Sequence, residues 1–131
     1  MTKYYFKTLL LLFFGLSSQL FSQVPGNILV EHFTNTKCSV CASRNPGFQA
    51  NLNAHPAVKL LSIHPSAPYS TCLLSQQNTA DNDARTNYYG VYGGTPRLVI
   101  NGTVISASVN YGAASVFTPF ENLTKSFQIN L

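Results

Sequence analysis

With 131 residues, 45% of them apolar and 12% aromatic, the chain is sized for one packed domain, and its composition excludes intrinsic disorder. Only 9% of residues are charged, and the formal +4 comes from eight basic residues scattered without runs against four acids. So weak and diffuse a charge excludes a nucleic-acid-binding surface and leaves a mildly basic solvated one.

Residues 1–22 read as a secretory signal peptide. Lys3 and Lys7 supply a basic n-region, Thr8 to Leu16 a short apolar core, and Ser17 to Ser22 a more polar stretch with small residues suited to cleavage. The apolar core falls short of the roughly 20 residues a membrane-spanning helix needs. No cysteine follows it, which argues against a lipoprotein-type signal. The expected mature domain is 23–131, exported to the periplasm, the outer membrane or the extracellular space.

Asn27 to Phe33 (NILVEHF) is a short β-prone run suited to a buried strand, interrupted by Glu31. Thr34 to Lys37 forms a loop, and Cys38 to about Ala54 a helix with Val40, Phe48 and Leu52 as inward positions. Pro46 inside that stretch predicts a bent helix or two consecutive ones, because a mid-helix proline costs about 3 kcal/mol. Ala57 to Ile63 is a second strand, and the β-α-β order implies a parallel pair. Residues 65–76 read as an inserted Pro/Ser-rich loop carrying Cys72, and Gln77 to Tyr89 as a helix ending at Gly90. After the turn Gly93-Gly94-Thr95-Pro96, Arg97 to Asn101 and Thr103 to Ser106 form a hairpin about Asn101-Gly102, a pair suited to a type I′ turn. Tyr111 to about Lys125 is expected as a closing helix, and the β-prone tail at 126–131 could begin a further region.

The chemistry concentrates in Cys38-Ser39-Val40-Cys41, a C-x-x-C pair placed after a strand at a helix start. Unpaired backbone N–H groups and the positive end of the helix dipole favour the thiolate of the first cysteine there. In an oxidising compartment the pair can be a permanent staple, a catalytic couple or two metal ligands. Metal is the weakest of these: a structural zinc site wants four ligands, and beyond this pair stand only Cys72 and the scattered His32, His55 and His64.

A strand, a C-x-x-C at a helix start, a proline five residues beyond its second cysteine, a second strand, a helix, and Gly-Gly-Thr-Pro before a hairpin: this order resembles the thioredoxin fold from about Asn27 to Lys125. The segments LVEHFTNTKCSVC and NYYGVYGGTPRLVING resemble in particular a secreted bacterial branch of thioredoxin-like proteins related to outer-membrane proteins. The resemblance implies a three-layer α/β domain with a mixed central sheet and flanking helices. It implies Cys38 as nucleophile, Cys41 as buried resolving cysteine, Pro96 as a cis-proline facing the dithiol, and Thr95 as the residue presenting backbone groups to an extended substrate chain. It also suggests Glu31 as a proton-transfer group for Cys41, one residue further from the dithiol than usual; the competing reading is an exposed strand-end glutamate. No cofactor is implied beyond the redox-active Cys38-Cys41 disulfide, and the partners implied are protein thiols or disulfides, with outer-membrane association.

The departures from that pattern are as informative. Lys37 stands where thioredoxins usually have a tryptophan, which places a positive charge beside Cys38 and favours its thiolate. Ser39-Val40 is neither the Gly-Pro pair of reducing thioredoxins nor a histidine-bearing pair of strong oxidants, so it leaves the direction of electron flow open. Cys72 is a small buried hydrophobe, a free thiol on an exposed loop, or a relay to Cys38. Two functional classes follow: an exported thiol-disulfide oxidoreductase, or a non-catalytic thioredoxin-like binding or structural module of the cell envelope with a stable Cys38-Cys41 disulfide.

Overall fold

The computed structural model describes residues 23–25, 27–121 and 124–126. The elements are β1 (Gln23–Pro25), β2 (Ile28–Phe33), α1 (Ser39–Asn53), β3 (Val58–Ile63), α2 (Leu73–Gln77), α3 (Thr79–Tyr89), β4 (Arg97–Ile100), β5 (Thr103–Ile105), a 3-10 turn (Ala114–Val116), α4 (Thr118–Glu121) and β6 (Thr124–Ser126). Residues 25–123 form one compact unit. Separately, β1 and β6 form a two-stranded sheet. The expected signal peptide and nearly all of the 126–131 tail lie outside the described residues.

The larger unit is built on a four-stranded sheet in the order β3-β2-β4-β5. Strand β2 pairs parallel with β3, from Ile28 opposite Val58 to Phe33 opposite Ile63. It pairs antiparallel with β4, which pairs antiparallel with β5. Side chains alternate across a strand, so β2 sends Ile28, Val30 and His32 to one face and Glu31 and Phe33 to the other. Ile28 and Val30 join Phe48, Leu98, Ile100, Tyr111, Val116 and Phe117 in the larger core. Phe33 joins Ile63, Val91 and Val99, with Tyr89 packed against them, in the smaller one. The result is helix, sheet and helix in three layers. Leu98, Val99 and Ile100 are fully buried, and each such side chain contributes about 1.5–3 kcal/mol.

Helix α1 runs unbroken through Pro46, where two consecutive helices were the alternative expectation. Its anchorage offsets the missing N–H. Phe48 packs in the large core, and Asn51 donates to the carbonyls of Tyr111 and Ala113 at 3.0 and 2.9 Å. Arg44 stacks 4.4 Å from the centre of the Tyr111 ring and donates to the Ala107 carbonyl. Val40, expected to point inward, is 51% exposed. The first turn buries Cys41 instead, which rotates residue 40 to the outside. A Cβ on Gly112 would lie 3.1 Å from the Gly47 carbonyl carbon, so the backbone of residue 112 touches the backbone of α1.

The hairpin forms as expected, with Asn101 and Gly102 at φ 47° and 82°. The loop expected over 65–76 ends earlier, at the short helix α2. The expected closing helix is broken into a 3-10 turn and the four-residue α4, followed by the strand β6. Pro119 explains the break, since it cannot donate the N–H a continuous helix would need there.

Candidate active site

The loop between β2 and α1 is held by one buried side chain. Asn35 accepts the Lys37 N–H on Oδ1 at 2.9 Å, and its amide donates to the Pro65 carbonyl at 3.1 Å. Its own carbonyl accepts the Cys38 N–H. The chain therefore enters α1 with Cys38 extended, at φ −87° and ψ 111°, in the N-cap position. There the Cys38 Sγ accepts the backbone N–H of Cys41 at 3.1 Å, the bond a serine or aspartate oxygen makes at other helix starts. As a thiol, Cys38 also donates to the Thr95 carbonyl at 3.3 Å. Residues 38 and 95 are thus joined across the sheet end, and the Thr95-Pro96 bond is cis.

Both cysteines are nearly covered, Cys38 at 3% and Cys41 at 1% exposure. Their surroundings push them in opposite directions. Burial raises Cys38, but the adjacent Cys41 thiol and Thr95 hydroxyl, with the backbone N–H groups of Cys41 and Val40, outweigh it, leaving Cys38 below the ordinary thiol value. Cys41 is raised, by burial first and by its hydrogen bond with Cys38 second. The pair holds one sulfur suited to attack and one suited to keep its proton. The Thr95 hydroxyl is buried beside both and has no aligned hydrogen bond, so its proton can turn to whichever sulfur carries charge.

Glu31 is neither exposed nor turned toward the dithiol. It is 1% exposed; Oε1 accepts from Arg85 Nε and Oε2 from the Tyr89 hydroxyl, both at 2.5 Å. These partners belong to α3, on the sheet face opposite α1, so the position of Glu31 does not support proton transfer to Cys41. The carboxylate ties the central strand to α3. Lys37 is exposed, and its backbone N–H donates to the Asn35 side chain.

The residue on the dithiol helix's side is His32, one of the three scattered histidines of the sequence. It is 4% exposed, its ring centre lies 4.5 Å from that of Phe48, and Nε2 has no partner. Burial, with a smaller contribution from His64, lowers its pKa to about 4. Two positions along the same face, Thr34 Oγ1 accepts from Asn45 at 3.1 Å and lies close enough to Cys41 to favour its thiolate. Strand alternation is the signal that could have found His32, because residues 31 and 32 face opposite sides. Between pH 6.5 and 4 the unfolded chain binds a proton on His32 that the folded chain refuses. Stability therefore falls as pH drops through that window, by about 3 kcal/mol once pH is below 4. Urea titrations at pH 7 and pH 4.5 are expected to show this loss, and His32→Leu is expected to remove most of it; an equal loss in the variant would contradict the assignment.

Cys72 is fully buried, and its sulfur lies 3.2 Å from the Thr36 hydroxyl, in the loop that leads into Cys38. Burial raises its pKa, but hydrogen bonds from Thr36, Ser75 and Leu74 bring it to about 7. Among the described residues, no group of three or more His, Cys, Asp or Glu side chains could hold a metal ion.

No family model matches the chain, and no curated protein matches it in sequence. Among solved structures it is similar to the thioredoxin domain of a thiol-disulfide oxidoreductase from Bacteroides vulgatus, with a TM-score of 0.51 over 75% of this chain and 81% of that one, at 12% identity. At that identity the likeness speaks for architecture alone. Together with the mixed four-stranded sheet and its flanking helices, it shows that the chain has the thioredoxin-like α/β fold.

Proposed function

We propose that the protein is an exported thiol-disulfide exchanger acting on protein thiols or disulfides. The observation that carries this reading is Cys38 at the N-cap, its sulfur accepting the Cys41 N–H and meeting the Thr95 carbonyl. In the reducing direction the Cys38 thiolate attacks one sulfur of a substrate disulfide. The substrate S–S bond breaks, one substrate thiolate leaves, and a mixed disulfide forms on Cys38. Cys41 then gives up its proton and attacks the Cys38 sulfur, which releases the second substrate thiolate and leaves a Cys38-Cys41 disulfide. Two electrons pass to the substrate; the same steps reversed oxidise a dithiol. Thr95 and Pro96 form the wall along which the substrate chain lies, and Thr95 offers a hydroxyl to the charged sulfur. Export rests on the basic, apolar and polar succession of residues 1–22, which points to the periplasm, the outer membrane or the extracellular space.

The competing reading is a binding or structural module in which Cys38-Cys41 is a permanent disulfide, and the near-complete burial of both cysteine residues favours it. Equilibrating the protein with thiol buffers of known potential separates the two. An exchanger is expected to lie between about −270 and −120 mV, whereas a value below about −300 mV would mark a staple.

A further inference from the structure

Helix α1 ends at Asn53, and His55 follows in the turn toward β3. The carbonyls of a last helical turn lack partners within the helix, and that end carries the negative pole of the helix dipole. His55 bridges from there to α4. Its Nδ1 lies 2.7 Å from the Asn51 carbonyl, its Nε2 lies 3.3 Å from Glu121 Oε1, and its ring centre is 5.2 Å from that of Phe117. A carbonyl and a carboxylate can only accept, so both bonds exist together only when both ring nitrogens donate, which is the imidazolium. The neutral ring has one proton. Kept on Nδ1, where the contact is shorter, it leaves the Nε2 lone pair facing a carboxylate.

Little else ties α4 down. None of its side chains is buried. Phe120 packs against the large core, and the Thr118 hydroxyl donates to the Ala114 carbonyl at 3.3 Å. Other charges are sparse around the ring. Glu121 is the one charged residue of 114–121, and Arg44, the one charged residue of α1, donates to the carbonyls of Ala107 and Val109. Beyond the turn, the Lys59 ammonium donates to the Pro56 carbonyl at 3.3 Å.

We propose that His55 is a pH-operated latch: protonated, it pins α4 to the C-terminal end of α1, and deprotonated, it lets residues 118–121 come away. The His55 side chain is 18% exposed, so its proton exchanges with water directly. Free imidazoles change charge near pH 6.5 and free glutamates near about pH 4.3. The latch is therefore closed between about pH 5 and 6, where imidazolium and carboxylate coexist, and open by about pH 8. Its sign is opposite to that of His32, whose protonation weakens the whole domain, so the latch must be read locally.

The test is amide hydrogen exchange at Phe120, whose N–H is bonded to the Phe117 carbonyl at 2.8 Å. It is followed by NMR at pH 5.5 and pH 8, corrected for intrinsic exchange and referred to the amides of β4. Protection of Phe120 relative to β4 is expected to fall about three- to tenfold at the higher pH. Glu121→Gln is expected to hold it nearly equal at both, because a carboxamide accepts from the charged ring and donates to the neutral one. His55→Gln is expected to show no pH dependence either. A Phe120-to-β4 ratio that does not change in the parent protein would overturn the latch, and so would a change that persists in both variants.

Discussion

Cys41→Ser is expected to stop the reaction at the mixed disulfide, whereas Cys38→Ser is expected to remove it altogether. The asymmetry follows from the two sulfurs' surroundings. Cys38 caps the helix, accepts the Cys41 N–H and is lowered, while Cys41 lies behind it, covered and raised. Without Cys38 no thiolate faces the substrate wall, and turnover should fall on the order of a thousandfold or more. Without Cys41 the first attack proceeds at near its normal rate, but no buried thiol follows, and the substrate stays attached. Intact-mass measurement after mixing with a peptide disulfide should find one peptide on Cys41→Ser and none on Cys38→Ser. Undiminished turnover by Cys41→Ser would show that another thiol resolves the intermediate. Cys72, bonded to the loop that leads into Cys38, would then be the one to replace next.

Phe48→Ala is expected to cost about 3–5 kcal/mol, seen as a lowered urea midpoint with little change in slope. Phe48 is 2% exposed, and its ring lies 4.5 Å from His32 and 6.5 Å from both Tyr111 and Phe117. It therefore touches the central strand, the 110–112 segment and the last helical turns at once. Collapse around the missing ring is resisted from every side, because β2 is paired on both edges and Asn51 and Arg44 hold α1 to residues 107–113. Water entering beside His32 would also ease its protonation, so the variant should lose less stability on acidification than the parent. A loss under about 1 kcal/mol would mean that the core repacks freely.

Elements announced by local chemistry were legible in the sequence. Asn101-Gly102 suits a turn whose two residues take positive φ, the C-x-x-C pair suits a helix start, and ILVEHF suits a buried strand. What local chemistry leaves open is the choice of face. Glu31 and His32 are neighbours, and a shift of one residue exchanges their surroundings. Only the packing of α3, with Arg85 and Tyr89 more than fifty positions away in the chain, settles that Glu31 belongs to that layer. Val40 went wrong for a related reason: the turn that buries Cys41 sends residue 40 outward. Pro119 was visible all along, and giving it its full helix-breaking weight would have divided the closing segment correctly.

The contact between Gly112 and Gly47 bears on the dithiol from a distance. Helix α1 carries Cys38 at one end and meets residue 112 further along, so the absence of a side chain at 112 lets the two backbones come together. A shift of α1 at that contact would alter the gap between the Cys38 sulfur and the Thr95 carbonyl, which lies off the helix. A methyl group at 112 would act as a shim under a lever whose far tip is the reactive sulfur. Tuning of this thiol by substitution can therefore begin at a residue that never comes near it.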